Sequence, residues 1–167
     1  LACPGFLNIY LTDEAIKTLA KELFVQKDRF FISEKTNGNY NIEFISANPT
    51  GPLHIGHGRG GIIGDVLANV LKFTGHAITK EHYINDAGSQ MEKLGHSLKI
   101  RCIQHVGHER VLPEDAYHGD YLKNLANRCV TDYGPNVIEN SDSFFTDYAY
   151  THLLAQLKET VTHYGIH

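Results

Sequence analysis

The sequence predicts an α/β fold: half of a parallel sheet, followed by a mainly helical insertion. Three observations predict it. An apolar run, Ile42 to Ile45, leads into a polar, glycine-rich stretch, Ser46 to Gly61, and a helical pattern follows. A second β-branched run, Ala77 to Ile84, comes after that helix and closes a strand–helix–strand unit whose crossover should be right-handed. From Ser89 onward the apolar spacing is mostly helical.

Composition sets the bounds. With 42% hydrophobic residues the chain of 167 can build a core, which excludes a disordered protein. The formal net charge of -4 carries no global signature of a nucleic-acid binder, although a local groove can still be basic. Cys3, Cys102 and Cys129 are odd in number and widely spaced, which suits a reducing cytosol better than a disulfide framework. No apolar run approaches the roughly 20 residues that span a membrane. The chain opens Leu1-Ala2-Cys3-Pro4-Gly5 without Met or a basic leader, and Tyr164 to His167 marks no obvious terminus. Both ends look cut, so an internal segment of a longer protein is expected.

The elements follow in order. Phe6 to Leu11 alternates with an aromatic and β-branched bias and reads as a short strand. Thr12 or Asp13 can then cap a helix whose apolar stripe holds Ala15, Ile16, Leu19, Ala20, Leu23 and Phe24. Arg29 to Ser33 and Asn41 to Ser46 read as two strands joined around Asn37-Gly38, a strong hairpin signal. In the central helix Ile62, Val66 and Val70, with Ile63, Leu67 and Leu71, should make one broad buried face, and Gly75 is placed to end it. Met91, Leu94, Leu98 and Ile103 mark a further helix. Tyr121, Leu122, Leu125, Ala126, Cys129 and Val130 mark another, and Phe144 to Tyr164 a third.

The loop between the first strand and the central helix carries the chemistry. Pro49 and Pro52 stiffen the turn, and Gly51 permits angles that other residues resist. A helix N-terminus offers unpaired N–H groups and the positive end of its dipole to an anion. His54 and His57 add two imidazoles on one helical face, and Gly56, Gly58, Gly60 and Gly61 let a nucleotide approach the backbone. The set suits a triphosphate and the charge that builds on one phosphorus during displacement. A rival lies in the same residues. Gly56, Gly58 and Gly61 spell the dinucleotide fingerprint, with Glu81 at the spacing of its ribose-binding acid. Against a dehydrogenase, Ala47 to Ile55 separates the strand from the first glycine, where the fingerprint allows almost nothing.

His54-Ile55-Gly56-His57 is the HIGH signature of class I aminoacyl-tRNA synthetases, and Glu43 to Leu53 around it resembles the arginyl-tRNA synthetase form. Pro4 to Asn8, Tyr83 to Met91 and Tyr117-His118-Gly119-Asp120-Tyr121 match the same family, in order. The resemblance implies the first half of a class I synthetase Rossmann-type nucleotide-binding fold. It implies ligation of arginine to its cognate tRNA through an arginyl-adenylate. ATP, arriving with Mg2+ as a substrate complex, is then expected, with no tightly bound cofactor. Arginine and tRNA(Arg) are the further partners, no membrane is involved, and the full-length enzyme would be a cytoplasmic monomer. The alternative is a nucleotide-binding module of another adenylyl-transferring enzyme or of a dehydrogenase.

By the same resemblance His54 and His57 are catalytic and contact ATP together with Pro52, Gly56 and Gly58. Glu43, Ser46, Asn48 and His54 would hold arginine, whose flat, charged guanidinium calls for a carboxylate. Asn85, Asp86, Gly88 and Gln90, at the end of the second strand, would line the pocket. The resemblance divides the chain at 1–26, the end of an N-terminal tRNA-contacting domain; 27–93, the first half of the catalytic domain; and 94–167, a helical connective insertion. The KMSKS loop and the anticodon-binding domain are not in this sequence, so the segment alone is expected to be inactive.

Other constellations carry less. Cys102, His105 and His108, with Cys129 as a fourth ligand, match no standard zinc spacing, and no metal is expected there. Tyr117, Tyr121, Tyr133, Tyr148, Tyr150 and Tyr164 could stack on single-stranded RNA, but helical spacing favours the core for most of them. Lys72, Lys80, Lys93, Lys99 and Arg101 give modest positive charge near the predicted ligand side, and Arg59 could meet phosphate or a surface carboxylate.

Overall fold

The computed structural model describes residues 5–32 and 38–167. The elements run α1 (Asp13–Gln26), β1 (Asn39–Glu43), α2 (Ile55–Phe73), β2 (Ala77–Glu81), α3 (Ser89–His105), α4 (Asp120–Tyr133) and α5 (Asp142–His163), with 3-10 turns at Lys27–Arg29 and Pro135–Glu139. β1 and β2 are neighbours in a two-stranded sheet. The Ala77 N–H donates to the Gly38 carbonyl and the Phe44 N–H to the Glu81 carbonyl, each at 3.2 Å, a parallel register. The chain divides into two compact units, Leu1–Tyr40 with Ala68–Thr79, and Asn41–Leu67 with Lys80–His167.

In the first unit two helix-end signals hold. The Thr12 hydroxyl accepts the Ala15 N–H at 3.2 Å and caps α1, satisfying one of the amides that a helix start leaves unpaired. Gly75 (φ 92°) ends α2: its N–H donates to Lys72 and the His76 N–H to Leu71, both at 3.1 Å, the paired bonds of a Schellman motif. Phe31 packs edge-on against Phe30 (4.9 Å) and lies 6.2 Å from Phe73, and Tyr40 packs edge-on to His76 at 5.0 Å.

Two expected strands are absent here. Phe6 makes a single bridge and residues 7–12 form no strand, while Lys27–Arg29 is a 3-10 turn continued by a turn at Phe30 and Phe31. Aromatic and β-branched bias describes residues that fit a sheet, but a strand also needs a neighbour to bond its backbone. Phe30 and Phe31 spend their rings on each other instead. Ser33 and Asn37, the rest of the expected hairpin, lie outside the described residues. The stripe of α1 is amphipathic in sequence, yet none of its residues is buried.

In the second unit α3, α4 and α5 enclose the main core, with Leu94, Leu98, Cys102, Leu122, Cys129 and Phe145 fully buried. α3 and α5 approach closely because Gly95 has no side chain: a Cβ there would overlap the Thr146 hydroxyl and backbone. Ser97, the one fully buried polar residue among those described, donates to the Lys93 carbonyl (2.6 Å) and accepts the Tyr117 N–H (3.1 Å). Gly134 (φ 80°) ends α4, and Pro135 opens the following turn.

The α2 helix corrects a further expectation. Ile62, Ile63, Val66, Leu67 and Val70 are exposed by about half, and the buried positions are Gly58, Gly61, Gly64 and Ala68. Periodicity identifies an apolar face but not what covers it. Within the second unit Phe44 and Ile45 pack on the glycines, where a Cβ would collide with the Ile45 and Phe44 side chains. No helix among the described residues is long and apolar enough to cross a membrane.

Candidate active site

The loop lies wholly within the second unit and begins with a strained residue. Ile45, β-branched and buried, sits at φ 55°, a region such side chains avoid at a cost of about 1–3 kcal/mol. The Ala47 N–H closes on the Ile45 carbonyl at 2.6 Å, so the chain reverses sharply as it leaves β1. The Ser46 hydroxyl accepts the Tyr83 N–H at 3.0 Å, tying the first loop to the chain beyond β2. Asn48 donates from Nδ2 to Gln90 Oε1 at 2.6 Å, which brings a predicted arginine ligand onto the first turn of α3. Glu43 is exposed at the end of β1, and its charge partly offsets the lowering of the His82 pKa by burial.

His54 and His57 meet face to face at the N-terminus of α2. Their ring centroids are 3.7 Å apart with 27° between planes. The His54 N–H donates to His57 Nδ1 at 3.2 Å, and the Gly56 N–H donates to His54 Nδ1 at 3.1 Å. Imidazoles therefore take amides that the helix start was expected to offer an anion. The consequence is electronic. A ring that accepts at Nδ1 carries its proton on Nε2, so each neutral imidazole has a donor left for a ligand. Burial, and then the neighbouring His54, lower the pKa of His57 and favour that neutral form. Gly56 is required by this packing, because a Cβ there would lie 3.0 Å from the His54 ring.

The other predicted residues are placed as follows. Pro52 is exposed, Gly56 is exposed beside the His54 ring, and Gly58 is buried under the Tyr164 hydroxyl. Asn85, Asp86, Gly88 and Gln90 are all exposed, and Asp86 accepts the Tyr150 hydroxyl at 3.2 Å from α5. Gly88 (φ 87°) precedes α3. Glu81, the acid of the rival dinucleotide reading, accepts a hydrogen bond from the Asn41 side chain. Of the cations expected near the ligand side, Lys80 pairs with Asp65 (2.5 Å), Lys93 with Asp115 (2.6 Å) and Lys99 with Asp142 (2.8 Å).

Cys102 and Cys129 are buried and unbridged, whereas His105 and His108 are exposed. No group of His, Cys, Asp and Glu among the described residues could hold a metal. Sequence reasoning placed Tyr121 on a helix and in a family motif but missed its contact with the loop: its hydroxyl donates to the Thr50 carbonyl at 2.7 Å. Its helical spacing concealed it, although Gly119, two residues before it, was a signal that a ring passes close to the backbone.

A parallel strand–helix–strand unit whose loop sets paired imidazoles at a helix N-terminus is an α/β arrangement suited to an anionic ligand. Residues 19–123 match the family model described as tRNA synthetases class I (R), catalytic domain. The chain is 43% identical to an arginine–tRNA ligase of Synechococcus sp. (strain JA-3-3Ab), covering 96% of this chain and 27% of that protein. To an arginine–tRNA ligase of Chlorobium phaeobacteroides (strain BS1) it is 39% identical, covering 96% and 30%. A crystal structure described as an arginyl-tRNA synthetase from Campylobacter jejuni superposes with a TM-score of 0.76 at 32% identity, covering 91% of this chain and 34% of that one. The chain belongs to the class I, arginine-type tRNA synthetase family and spans about a third or less of the length of these relatives.

Proposed function

We propose that this segment supplies the ATP- and arginine-binding half of the active site of an arginine–tRNA ligase. The carrying observation is the stacked pair His54 and His57 at the start of α2, within a segment that matches the arginine-type catalytic domain. The arginine carboxylate attacks the α-phosphorus of ATP, pyrophosphate leaves, and the arginyl group passes to the terminal ribose of tRNA(Arg). In-line displacement asks the protein for position and for donors aimed at the charge that builds on phosphorus. The Nε2 protons of His54 and His57 are such donors, and the exposed Pro52 and Gly56 leave the adenosine room, with Gly58 buried under the Tyr164 hydroxyl.

Glu43 receives the guanidinium, and Asn48, held by Gln90, receives the α-amino group with Ser46 beside it. Asn85, Asp86 and Gly88 line the neighbouring wall. Mg2+ arrives with ATP as part of the substrate. We further assign residues 1–26 to the end of a tRNA-contacting domain, 27–93 to the first half of the catalytic domain and 94–167 to the connective insertion, in a cytoplasmic, monomeric enzyme.

The test is ATP–pyrophosphate exchange by the protein of full family length, with arginine and tRNA(Arg) present. Exchange that requires arginine, and falls at least a hundredfold in His57→Ala, supports the reading. Exchange indifferent to arginine overturns it. The 167 residues alone should give no arginylation.

A further inference from the structure

We propose that Tyr121 is a positioning residue of this site: it holds the Pro49–Pro52 turn, so that the helical insertion sets the geometry of the nucleotide loop. The catalytic consequence rests on the synthetase reading above; the mechanical hold rests on geometry alone.

The hold has two parts. The Tyr121 hydroxyl donates to the Thr50 carbonyl at 2.7 Å, across 71 residues of sequence. Its ring lies between two glycines. A Cβ on Gly51 would stand 3.3 Å from the ring's Cζ, and one on Gly119 would overlap Cε1. Neither neighbour can carry a side chain without moving the ring. From Gly119 the chain enters α4, whose Leu122, Leu125 and Ala126 are buried in the main core, so the ring is carried on a rigid base.

The turn thus gripped leads to both parts of the site. Asn48 lies two residues before Thr50 and accepts the Thr50 N–H on its own carbonyl at 2.8 Å, while His54 follows four residues later. The same loop meets α3 through Asn48 and Gln90, and Asp86 meets α5 through Tyr150. The helices α3, α4 and α5 thus each make a polar contact with a ligand loop, and that of Tyr121 is the most enclosed. Burial, then the neighbouring Tyr117, push the Tyr121 pKa up to about 12, so the hydroxyl stays a donor throughout the neutral range.

A tyrosine that merely fills space predicts something different. Tyr121→Phe keeps the ring and removes only the hydroxyl. In the protein of full family length we expect Tyr121→Phe to speed amide hydrogen exchange about tenfold over Thr50 to Gly58. Leu94 to Leu98 should remain protected. The kcat for arginine-dependent ATP–pyrophosphate exchange should fall about five- to tenfold, with the KM for tRNA unchanged. Tyr121→Ala should lose more of both. Wild-type protection over the loop, loosening shared equally by the core, or an unaltered kcat in Tyr121→Phe each overturn the proposal. If the wild-type protein shows no arginine-dependent exchange, the synthetase reading fails, and loop protection in Tyr121→Phe then decides the hold by itself.

Discussion

The imidazole of His54 lies 3.7 Å, centroid to centroid, from that of His57, and each accepts a helix-start amide on Nδ1. These two hydrogen bonds hold only while neither Nδ1 carries a proton. Protonation would remove the Nδ1 lone pair that the His54 N–H requires and would set like charges face to face.

His57 should therefore titrate below the ordinary histidine value of about 6.5, by NMR of the ring protons. His54→Ala should move that midpoint upward, because the neighbouring ring is one cause of the depression. The sign for stability follows. A histidine with a lowered folded pKa binds fewer protons folded than unfolded, so stability is full above about 6.5 and declines as pH falls through the folded pKa. His82 and His152, also lowered chiefly by burial, act in the same direction. Thermal melts between pH 5 and 8 that rise on acidification would contradict this.

Gln90→Ala should raise the KM for arginine by up to about tenfold, because it frees the Asn48 side chain from its 2.6 Å bond. Asn48→Ala should cost at least as much, and the double variant should cost little more than Asn48→Ala alone. Fully additive losses would show that the two residues act separately.

Glycines in α2 should separate by neighbourhood. Gly60 has nothing near its Cβ position, so Gly60→Ala should stabilise by up to about 1 kcal/mol through helix propensity. Gly61→Ala and Gly64→Ala would drive a methyl into Ile45 and Phe44 and should destabilise by about 1–3 kcal/mol despite the same propensity gain. Melting temperatures of the three variants decide it.

Cys102 and Cys129 should resist alkylation in the folded protein. Burial raises both thiol pKa values, and the thiolate is the reactive form. Mass mapping after iodoacetamide should find both unmodified until denaturant is added.

Much of the fold was legible before any coordinates. Thr12 and Gly75 act within one turn of their own sequence, so their helix ends could be read directly. The buried stripe of α3 through Met91, Leu94 and Leu98 followed from spacing as well. Strands over Phe6–Leu11 and Arg29–Ser33 were expected from residue type, which cannot supply a partner for the backbone. The face of α2 failed for a related reason: its large apolar residues stand exposed while its small ones are covered.

The candidate site divides in the same way. Local order of residues was enough to establish a glycine-rich loop at a helix start, two histidines on one face and the family to which they belong, because these depend on neighbours along the chain. Tertiary structure alone decided that the histidines stack and spend helix amides on each other, that Asn48 leans on Gln90, and that Tyr121 grips Thr50. Asn48 and Gln90 are 42 residues apart, Tyr121 and Thr50 71, and no periodicity links positions so distant. They meet because burying the faces of α3, α4 and α5 in one core leaves each helix little choice about where its polar residues emerge.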